Sequence, residues 1–303
     1  MIYTVTLNPA LDYLLHLDRV DLGSVNRSQG ESVTYGGKGI NVSVVLQNLG
    51  VPSVALGFLA GFTGQEIQRL LEETGCRGDF CWVEGNSRIN VKLKAGEETE
   101  INGQGPEIRS CDLDALFKKL NALGNGDVLI LAGSVPPSVP QDIYEIILAR
   151  LEGRGIRTVV DTTGGSLRRT LPFRPFLIKP NHHELGELFG GMLKESAEIV
   201  RCAKLLQKEG ARNVLVSRAG DGAILVGEDG TVYEDAAPQG KVVNSTGSGD
   251  SMVAGFLAGY RETGTLENAF YTGLAAGSAS AFSQGLATGE EILQLRDRIA
   301  PAR

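Results

Sequence analysis

The sequence is poor in cysteine and has no long hydrophobic run, and both shortages narrow the class of protein. None of its four cysteines forms a C-x-x-C pair, so we expect reduced, half-buried thiols in a cytoplasmic protein: Cys76, Cys81, Cys111 and Cys202. No apolar stretch approaches the roughly 20 residues that span a bilayer. The N-terminal segment lacks the basic start and the small-residue cleavage site of a signal peptide. A membrane partner is therefore not expected.

Positive charge is also in short supply. The 29 Lys and Arg residues are outnumbered by 36 Asp and Glu residues, which gives a formal net charge of -7. An acidic chain without a dense block of Lys and Arg argues against nucleic acid as a partner. Glycine, by contrast, is abundant, with 40 among 303 residues. Such an excess indicates tight turns or places where the backbone approaches a ligand closely.

The order of the apolar segments predicts an α/β fold. Strands are predicted at Ile2 to Leu7 and Val54 to Leu59, and the helix that follows is predicted to begin at a capping box, Thr63-Gly-Gln-Glu66. From Asp127 onward, short apolar strands alternate with amphipathic helices. The strands are Val128–Leu131, Thr158–Asp161, Phe176–Ile178, Val214–Ser217 and Ala223–Val226, and the helices lie at about 140–152, 183–189 and 196–209. This rhythm is typical of a mostly parallel sheet covered on both faces.

One segment departs from this rhythm. Residues Arg88 to Ala95 read R-I-N-V-K-L-K-A, a strict alternation that predicts a half-exposed strand. With residues near 12–35 it would form a small sheet beside the main one. The polar face carries Arg88 and Lys92, which suits either water or an anionic ligand, and the residues alone do not decide between them.

The strongest motif runs from Asn244 to Phe256 and reads NSTGSGDSMVAGF. Gly247 and Gly249 lie where a loop becomes a helix, and Asp250 falls in the first helical turn. Helix N-termini carry unpaired N–H groups and the positive end of the helix dipole, so they bind anions. The motif therefore predicts either a phosphate site with an acidic base or, more simply, a capped helix after a glycine-rich turn.

Two further motifs stand at the starts of predicted helices. Gly36-Gly-Lys-Gly-Ile-Asn41 combines a flexible turn with a cation and an amide, but it is not a Walker A loop, because Gly39 follows Lys38. Asn181 and Glu184 follow a buried strand in Lys179-Pro-Asn-His-His-Glu184. An amide and a carboxylate at a strand end suit hydrated Mg²⁺ on a nucleotide phosphate, or equally an N-cap with its capping box.

Several common motifs are missing. No G-x-G-x-x-G dinucleotide fingerprint, G-x-S-x-G nucleophile elbow or protein-kinase H-R-D motif is present. His182-His183-Glu184 does not complete H-E-x-x-H, since position 187 is Glu187. These absences weaken the case for a nicotinamide oxidoreductase and for a zinc enzyme.

The three motifs together resemble the signatures of a known family. Segments 36–41 and 244–256 are similar to the two signatures of the ribokinase-like PfkB sugar-kinase family, and Asn181-x-x-Glu184 matches its magnesium-associated N-x-x-E motif. The opening MIYTVTLNPALDY, with VNR at 25–27 and SRINVK at 87–92, resembles the branch that acts on fructose 1-phosphate. The branch that acts on tagatose 6-phosphate is its near neighbour. The resemblance covers about residues 2 to 290.

The resemblance implies a fold and an activity. We expect one ribokinase-like domain over 1–303, a three-layer αβα structure with a mostly parallel central sheet and a small β-sheet lid built from segments at roughly 12–35 and 87–105. We expect a cytoplasmic kinase that uses ATP and Mg²⁺ on a small phosphosugar, and a homodimer formed through the lid. Family members often also bind a monovalent cation near the nucleotide loop, and the sequence leaves this point open.

The resemblance also implies roles for individual residues. Asp250 corresponds to the catalytic base, and Gly247, Ser248 and Gly249 correspond to the anion hole. Sugar-hydroxyl contacts correspond to Asp12, Gly37 and Asn41, and candidates for binding the substrate's phosphate are Arg27, Lys38, Arg88 and Ser134. The nucleotide side corresponds to Lys179, Asn181, Ser217, Gly220 and Gly222, with Asn181 and Glu184 at the metal. Ser248 stands where many relatives carry alanine.

Three other functions stay open from the sequence alone. The acceptor could be tagatose 6-phosphate or another sugar. The chain could also be a sugar-phosphate- or nucleotide-binding regulator without activity, although such a protein has no chemical need for Asp250. A nicotinamide oxidoreductase is disfavoured by the missing fingerprint.

Overall fold

A computed structural model describes residues 1–301 of the chain, apart from the side chain of Glu97, and within this range two β-sheets organise the fold. The strands are β1 (Ile2–Thr6), β2 (Ala10–His16), β3 (Gly30–Gly36), β4 (Ser53–Ala60), β5 (Arg77–Gly78), β6 (Cys81–Val83), β7 (Arg88–Ala95), β8 (Glu97–Asn102), β9 (Val128–Ala132), β10 (Arg157–Asp161), β11 (Leu177–Ile178), β12 (Asn213–Ser217), β13 (Ala223–Val226) and β14 (Val232–Asp235). The helices are α1 (Lys38–Asn48), α2 (Gly61–Glu73), α3 (Ser110–Leu120), α4 (Ile143–Leu151), α5 (Gly164–Thr170), α6 (His182–Phe189), α7 (Ser196–Glu209), α8 (Ser248–Thr263), α9 (Leu266–Phe282) and α10 (Gly289–Ile299).

The larger sheet is mostly parallel. Its strand order is β14-β13-β12-β11-β10-β9-β1-β4-β5, with β6 paired to β4, and only the β12–β13 and β13–β14 pairs are antiparallel. The apolar strands are buried on both faces, as parallel strands between two helical layers must be. The carboxyl ends of β1, β9, β10, β11 and β12 therefore share one edge, where ligands bind in open α/β sheets.

Two hydrophobic cores separate the three layers. On one face, helices α3 to α7 pack against the sheet through residues such as Leu116, Ile147 and Leu206. On the other face, α1, α8, α9 and α10 pack through residues such as Val45 and Phe256. This arrangement confirms the predicted three-layer αβα fold with a mostly parallel sheet. Within the described residues, no helix combines the length and apolarity that a membrane crossing requires.

The second sheet is small and has the order β3-β2-β7-β8. Strand β2 pairs antiparallel with β3 and parallel with β7, and β7 pairs antiparallel with β8. The alternation predicted for Arg88 to Ala95 is present as β7. One face of this sheet carries Asp12 and Lys92 and lines a cleft of about 290 Å³ beside the start of α8, and the other face leaves Val33, Ile89 and Ile101 exposed. Its action as a lid, and the description of 1–303 as one domain, stay predictions.

One local prediction was wrong. Helix α2 begins at Gly61, two residues before Thr63, and its N-cap Ala60 has no side-chain hydrogen bond. The Thr63 hydroxyl donates instead to the carbonyl oxygen of Ser87 at 2.8 Å. Thr63 thus fastens the helix to the segment that leads into β7, and it does not form a capping box with Glu66.

Candidate active site

Asp250 lies in the first turn of α8, at the carboxyl edge of the large sheet. The helix begins after Gly247, whose φ of 79° is the left-handed conformation that glycine adopts without a steric penalty. A Cβ atom at Gly247 would also lie 2.8 Å from Cδ2 of Leu286. The turn directs Asp250 towards α1, where the side-chain amide of Asn41 donates a 2.8 Å hydrogen bond to Asp250 Oδ2. The two glycine-rich motifs therefore meet at one carboxylate.

The electrostatic surroundings of Asp250 suit a proton acceptor. Burial raises the pKa of Asp250, and the nearby carboxylate of Asp161 raises it further. Lys38, Asn41 and Lys179 act in the opposite direction, and the balance places the pKa at about 6. A carboxyl group with this pKa is ionised at neutral pH and yet is basic enough to take a proton.

Asp161 is a site residue that the sequence analysis missed. It ends strand β10, is 1% exposed, and lies between two lysines. Lys38 Nζ donates a 3.1 Å hydrogen bond to Asp161 Oδ1, and Lys179 Nζ lies 3.8 Å from Asp161 Oδ2. The signal was available, because a carboxylate at the carboxyl end of an apolar parallel strand is where ligand sites occur.

The two lysines bring positive charge to the start of α8. Burial opposes the charged form of Lys38, but the carboxylates of Asp161 and Asp250 outweigh it, so the pKa of Lys38 is raised. The Nζ atom of Lys179 lies 3.1 Å from the position of a Cβ atom at Gly249, so the missing side chain there leaves room for the ammonium group. The buried hydroxyl of Ser248 has no hydrogen-bond partner among the described residues.

The cleft beside the small sheet contains a second carboxylate, Asp12, in a rigid setting. Asn90 Nδ2 donates to Asp12 Oδ1 at 3.0 Å, and Lys92 Nζ lies 2.9 Å from Asp12 Oδ2. A Cβ atom at Gly36 would fall 2.5 Å from Asp12 Oδ1, so only glycine leaves space for the carboxylate. Gly37 follows with a φ of 130° and begins the turn into α1. Asn90 was not named as a site residue from the sequence, and Lys92 was named only on the polar face of the alternating strand, without a contact to Asp12.

Arg88, at the start of β7, is half-buried and lacks a counterion. Its Nε donates to the carbonyl oxygen of Asn8 at 3.0 Å. Among the side chains that the structure describes, it makes no salt bridge within 4.0 Å. Burial lowers the pKa of Arg88, and the more distant charge of Asp12 offsets this only in part. A half-buried guanidinium without an anion is costly, so this position is suited to an anionic ligand.

The structure does not bring Arg27 to the same cluster. Arg27 is exposed in the connection between β2 and β3, beyond the His16–Gly30 end of the hairpin, while Asp12 lies near the opposite end. Ser134 is exposed in the loop that follows β9. In that loop the amide of Gly133 donates to the backbone oxygen of Asp161 at 3.1 Å. The assignment of both residues to the substrate's phosphate stays a prediction.

The residues expected on the nucleotide side lie together at the ends of β11 and β12. Ser217 forms a bridge with Asn181, which is the N-cap of α6. The loop after Ser217 is a short 3-10 turn in which Gly220 has open space where a Cβ atom would lie. Gly222 has a different role, because a Cβ atom there would fall 2.0 Å from the carbonyl oxygen of Asp235.

Asn181 and Glu184 form a capping box, which was one of the two interpretations of this motif that the sequence allowed. Asn181 Oδ1 accepts from the Glu184 amide, and Glu184 Oε2 accepts from the Asn181 amide, both at 2.8 Å. The capping box holds the Glu184 carboxylate at the edge of the sheet near Lys38. The negative charge of Glu184 helps to raise the pKa of Lys38. Among the residues described, no three His, Cys, Asp or Glu side chains gather as a metal-binding group.

Asp161 is expected to set the acid limb of the pH profile. Below about pH 6 a rate that needs ionised Asp250 should fall about tenfold per pH unit. Asp161→Asn removes a charge that raises the pKa of Asp250 and leaves the lysines that lower it, so the acid limb of kcat/KM should move to lower pH. The measurement is kcat/KM between pH 4.5 and 8. An acid limb at the same pH in Asp161→Asn and in the unaltered enzyme would contradict the effect of Asp161 on the pKa of Asp250.

A buried carboxylate at a helix N-terminus, beside a cleft with a half-buried arginine at the carboxyl edge of an α/β sheet, is the kind of site that phosphotransferases use. The chain matches the model of the pfkB family carbohydrate kinases over residues 5–293. It is 48% identical to a 1-phosphofructokinase of Bacillus subtilis over all of both chains. It is 37% identical to a D-tagatose-1-phosphate kinase of Bacillus licheniformis, over 99% of this chain and 98% of the relative. The chain belongs to the pfkB family of carbohydrate kinases.

The solved structures agree with this assignment. The tetrameric inhibited form of phosphofructokinase-2 from Escherichia coli superposes with a TM-score of 0.91 at 26% identity, covering 98% of both chains. Arabidopsis thaliana ribokinase, at 20% identity, superposes with a TM-score of 0.80 over 97% of this chain and 98% of its own, which shows the ribokinase-like fold. The chain is therefore an enzyme that transfers a phosphoryl group to an alcohol group of a carbohydrate.

Proposed function

We propose that the chain phosphorylates D-fructose 1-phosphate with ATP and releases fructose 1,6-bisphosphate and ADP. The observation that carries the proposal is Arg88, a half-buried guanidinium in the small sheet with no carboxylate within salt-bridge distance among the described side chains. A neutral sugar would leave this charge uncompensated, whereas a phosphate group on the acceptor would match it. The relative at 48% identity, named 1-phosphofructokinase, supports the choice of sugar.

The proposed mechanism follows from the groups around Asp250. Asp250 takes the proton of the acceptor hydroxyl as that oxygen forms its bond to phosphorus, and the bond between phosphorus and the departing ADP oxygen breaks. The backbone N–H groups at Gly247 and Gly249 stabilise the negative charge on the transferring group, together with that of Ser248, which without a ligand donates to the Ser245 carbonyl oxygen at 3.2 Å. Lys38 and Lys179, held by Asp161, add positive charge on the same side. Phosphoryl transfer depends mostly on such positioning and charge stabilisation.

An acceptor series tests the proposal. We expect kcat/KM to be highest for fructose 1-phosphate and very low for unphosphorylated fructose, in a coupled assay of ADP release. D-tagatose 1-phosphate is the second candidate, because the relative at 37% identity carries that name. Tagatose 6-phosphate and fructose 6-phosphate complete the series. Equal use of free fructose would overturn the phosphate argument, and no ADP release with any acceptor would favour a binding protein without activity.

The residues at the nucleotide side fit ATP with Mg²⁺. The carboxylate of Glu184 is held at the strand edge by its capping box, and oxygen ligands are those that Mg²⁺ prefers. We propose that Asn181 and Glu184 hold hydrated Mg²⁺ on the nucleotide phosphates, beside Ser217 and Gly220. When bound, the metal would supply charge that offsets the phosphates.

Glu184→Gln separates the metal role from the cap. A glutamine can still accept the hydrogen bond from the Asn181 amide, so the melting temperature should change little. The lost charge should raise the Mg²⁺ concentration needed for half-maximal rate severalfold. Glu291→Gln makes the same change in the capping box of α10 and is the control. If Glu184→Gln and Glu291→Gln required the same Mg²⁺ concentration, Glu184 would have only its role in the capping box and no role at the metal.

We propose that two copies of the chain associate through the exposed face of the small sheet. Val33, Ile89 and Ile101 are 41%, 40% and 59% exposed there, an apolar surface that another copy would cover. The tetrameric form of the Escherichia coli relative supports self-association. Ile101→Asp should convert a dimer to a monomer in sedimentation at micromolar concentration. Leu293→Asp, at a 40% exposed position of α10, should not.

Two expectations stay predictions. A monovalent cation near the nucleotide loop is supported by the relative from Escherichia coli, which has been solved in complex with potassium. Dependence of the rate on K⁺ over Na⁺ would test it. The cytoplasmic location rests on the sequence features alone.

A further inference from the structure

The cleft face of the small sheet carries a group of charges that the proposed mechanism has not used. Strands β2 and β7 run parallel with Asp12 opposite Asn90. Side chains two residues apart on a strand share a face, so Lys92 and Lys94 follow Asn90 on the same side. Both lysines line the cleft with Asp12 and Asn41.

Lys92 is the only one of the two lysines that contacts Asp12. Its Nζ lies 2.9 Å from Asp12 Oδ2, and both side chains are 11% exposed. Its distance to Glu100 Oε1 is 3.9 Å, at the edge of an ion pair. Lys94 faces Glu98 at 3.8 Å and is 28% exposed, so it belongs to the solvated rim of the cleft.

The position of the Asp12 carboxylate is determined from three sides. Asn90 holds Oδ1 and Lys92 holds Oδ2, while the absence of a side chain at Gly36 leaves the space that the carboxylate fills. Each carboxylate oxygen has a second lone pair available to accept from a sugar hydroxyl. The hydrogen bond from Asn90 and the ion pair with Lys92 fix the orientation of the carboxylate, which sets where the sugar ring can bind.

The ion pair between Lys92 and Asp12 also reduces the electrostatic repulsion that Asp12 would exert on the phosphate of the acceptor. Asp12 is buried and negative, and the acceptor is proposed to carry a phosphate near Arg88, which lies two residues before Asn90 on the same strand face. An uncompensated carboxylate there would repel the phosphate and would itself be costly to bury. Lys92 neutralises Asp12 and leaves the charge of Arg88 available for the ligand.

We propose that Lys92 is a positioning and specificity-determining residue: it holds Asp12 in place for the sugar hydroxyls and makes the cleft selective for an acceptor that already carries a phosphate. The inference rests on the proposed function. In it, the ammonium group of Lys92 compensates the negative charge of Asp12 in the acceptor site. It predicts that loss of Lys92 harms phosphorylated acceptors far more than neutral ones.

The test compares Lys92→Met with Lys94→Met, the same change two residues along the same strand face. Lys92→Met should raise KM for fructose 1-phosphate by about tenfold to a hundredfold, because the Asp12 carboxylate would then be left unpaired and would repel the phosphate of the acceptor. The change in kcat should be smaller, and KM for ATP should stay within about twofold. The ratio of kcat/KM for fructose 1-phosphate over fructose should fall by a similar factor. Lys94→Met should lose far less than Lys92→Met, because Lys94 pairs with Glu98 and has no contact with Asp12, and Lys92→Arg should recover part of the loss.

Folding and function are separated by two further measurements. The melting temperature of Lys92→Met without ligand reports any structural damage, and titration calorimetry with fructose 1-phosphate reports binding directly. A folded Lys92→Met enzyme with unchanged KM and an unchanged fructose 1-phosphate to fructose ratio would overturn the inference, and so would equal losses in Lys92→Met and Lys94→Met. Failure of the proposed function is a different result, because the unaltered enzyme would then lack activity on every sugar phosphate.

Discussion

Asp250→Asn is expected to lower kcat by about 10²–10⁴, the usual contribution of general-base catalysis. The side chain keeps its size, and an amide oxygen can still accept the hydrogen bond from Asn41. What is lost is the group that takes the proton of the acceptor hydroxyl. KM for ATP should change little, because the anion-binding N–H groups at the start of α8 belong to the backbone. Steady-state kinetics over a range of ATP and fructose 1-phosphate concentrations measures both effects.

Stability should move in the opposite direction from activity. Folding raises the pKa of Asp250 from 3.8 to about 6, so the ionised group lowers native stability once the pH rises through about 6. The asparagine variant has no such charge, and its melting temperature at pH 7.5 should be equal or higher. Glu262→Gln, which removes a carboxylate at the exposed far end of α8, is the control and should retain full activity. Near-normal turnover by Asp250→Asn would refute the base assignment.

Much of the fold was predictable because local patterns of apolar residues determine many of its strands and helices. The strand Ala223–Val226 and the helix over 196–209 have the predicted bounds. Both are set by apolar periodicity along a short piece of chain. Strand β11 is one residue shorter than predicted: it comprises Leu177 and Ile178, which pair with β10, and Phe176 lies just before it.

The start of α2 shows where local patterns fail. Thr63 and Glu66 have the spacing of a capping box, but the partner of the Thr63 hydroxyl is the carbonyl oxygen of Ser87, 24 residues away. Thr63 is buried, and a buried hydroxyl left without a partner costs about 1–3 kcal/mol, which the bond to Ser87 avoids. The helix therefore extends to Gly61, where Ala60 ends strand β4.

The candidate site divides in the same way. Asp250, Asn41 and Glu184 stand in motifs that can be recognised from spacing. Asp161 and Lys92 depend on strand order and register, which bring together residues from distant segments. The Asp161 carboxylate reaches Lys38 across 123 positions of sequence. No local pattern specifies such a pair, and only the strand-end rule for parallel sheets points to it.

The largest effect on the acceptor should come from Arg88. Arg88→Met should lower kcat/KM for fructose 1-phosphate by about 10²-fold or more, since charge-assisted hydrogen bonds contribute about 1.5–3 kcal/mol each. The present partner of Arg88 is the carbonyl oxygen of Asn8, bonded through Nε. The other guanidinium nitrogens are then available for the bidentate contact that arginine makes with phosphate.

Charge and geometry at this position can be separated. Arg88→Lys keeps the charge but loses the planar fork, so it should cost about tenfold in kcat/KM for fructose 1-phosphate. Without ligand, Arg88→Met should melt at an equal or higher temperature, because it removes a half-buried charge that has no counterion among the side chains described by the structure. Arg298→Met changes an exposed arginine of α10 and serves as the control. If Arg88→Met and Arg298→Met used fructose 1-phosphate equally well, the acceptor phosphate would have to bind elsewhere in the cleft.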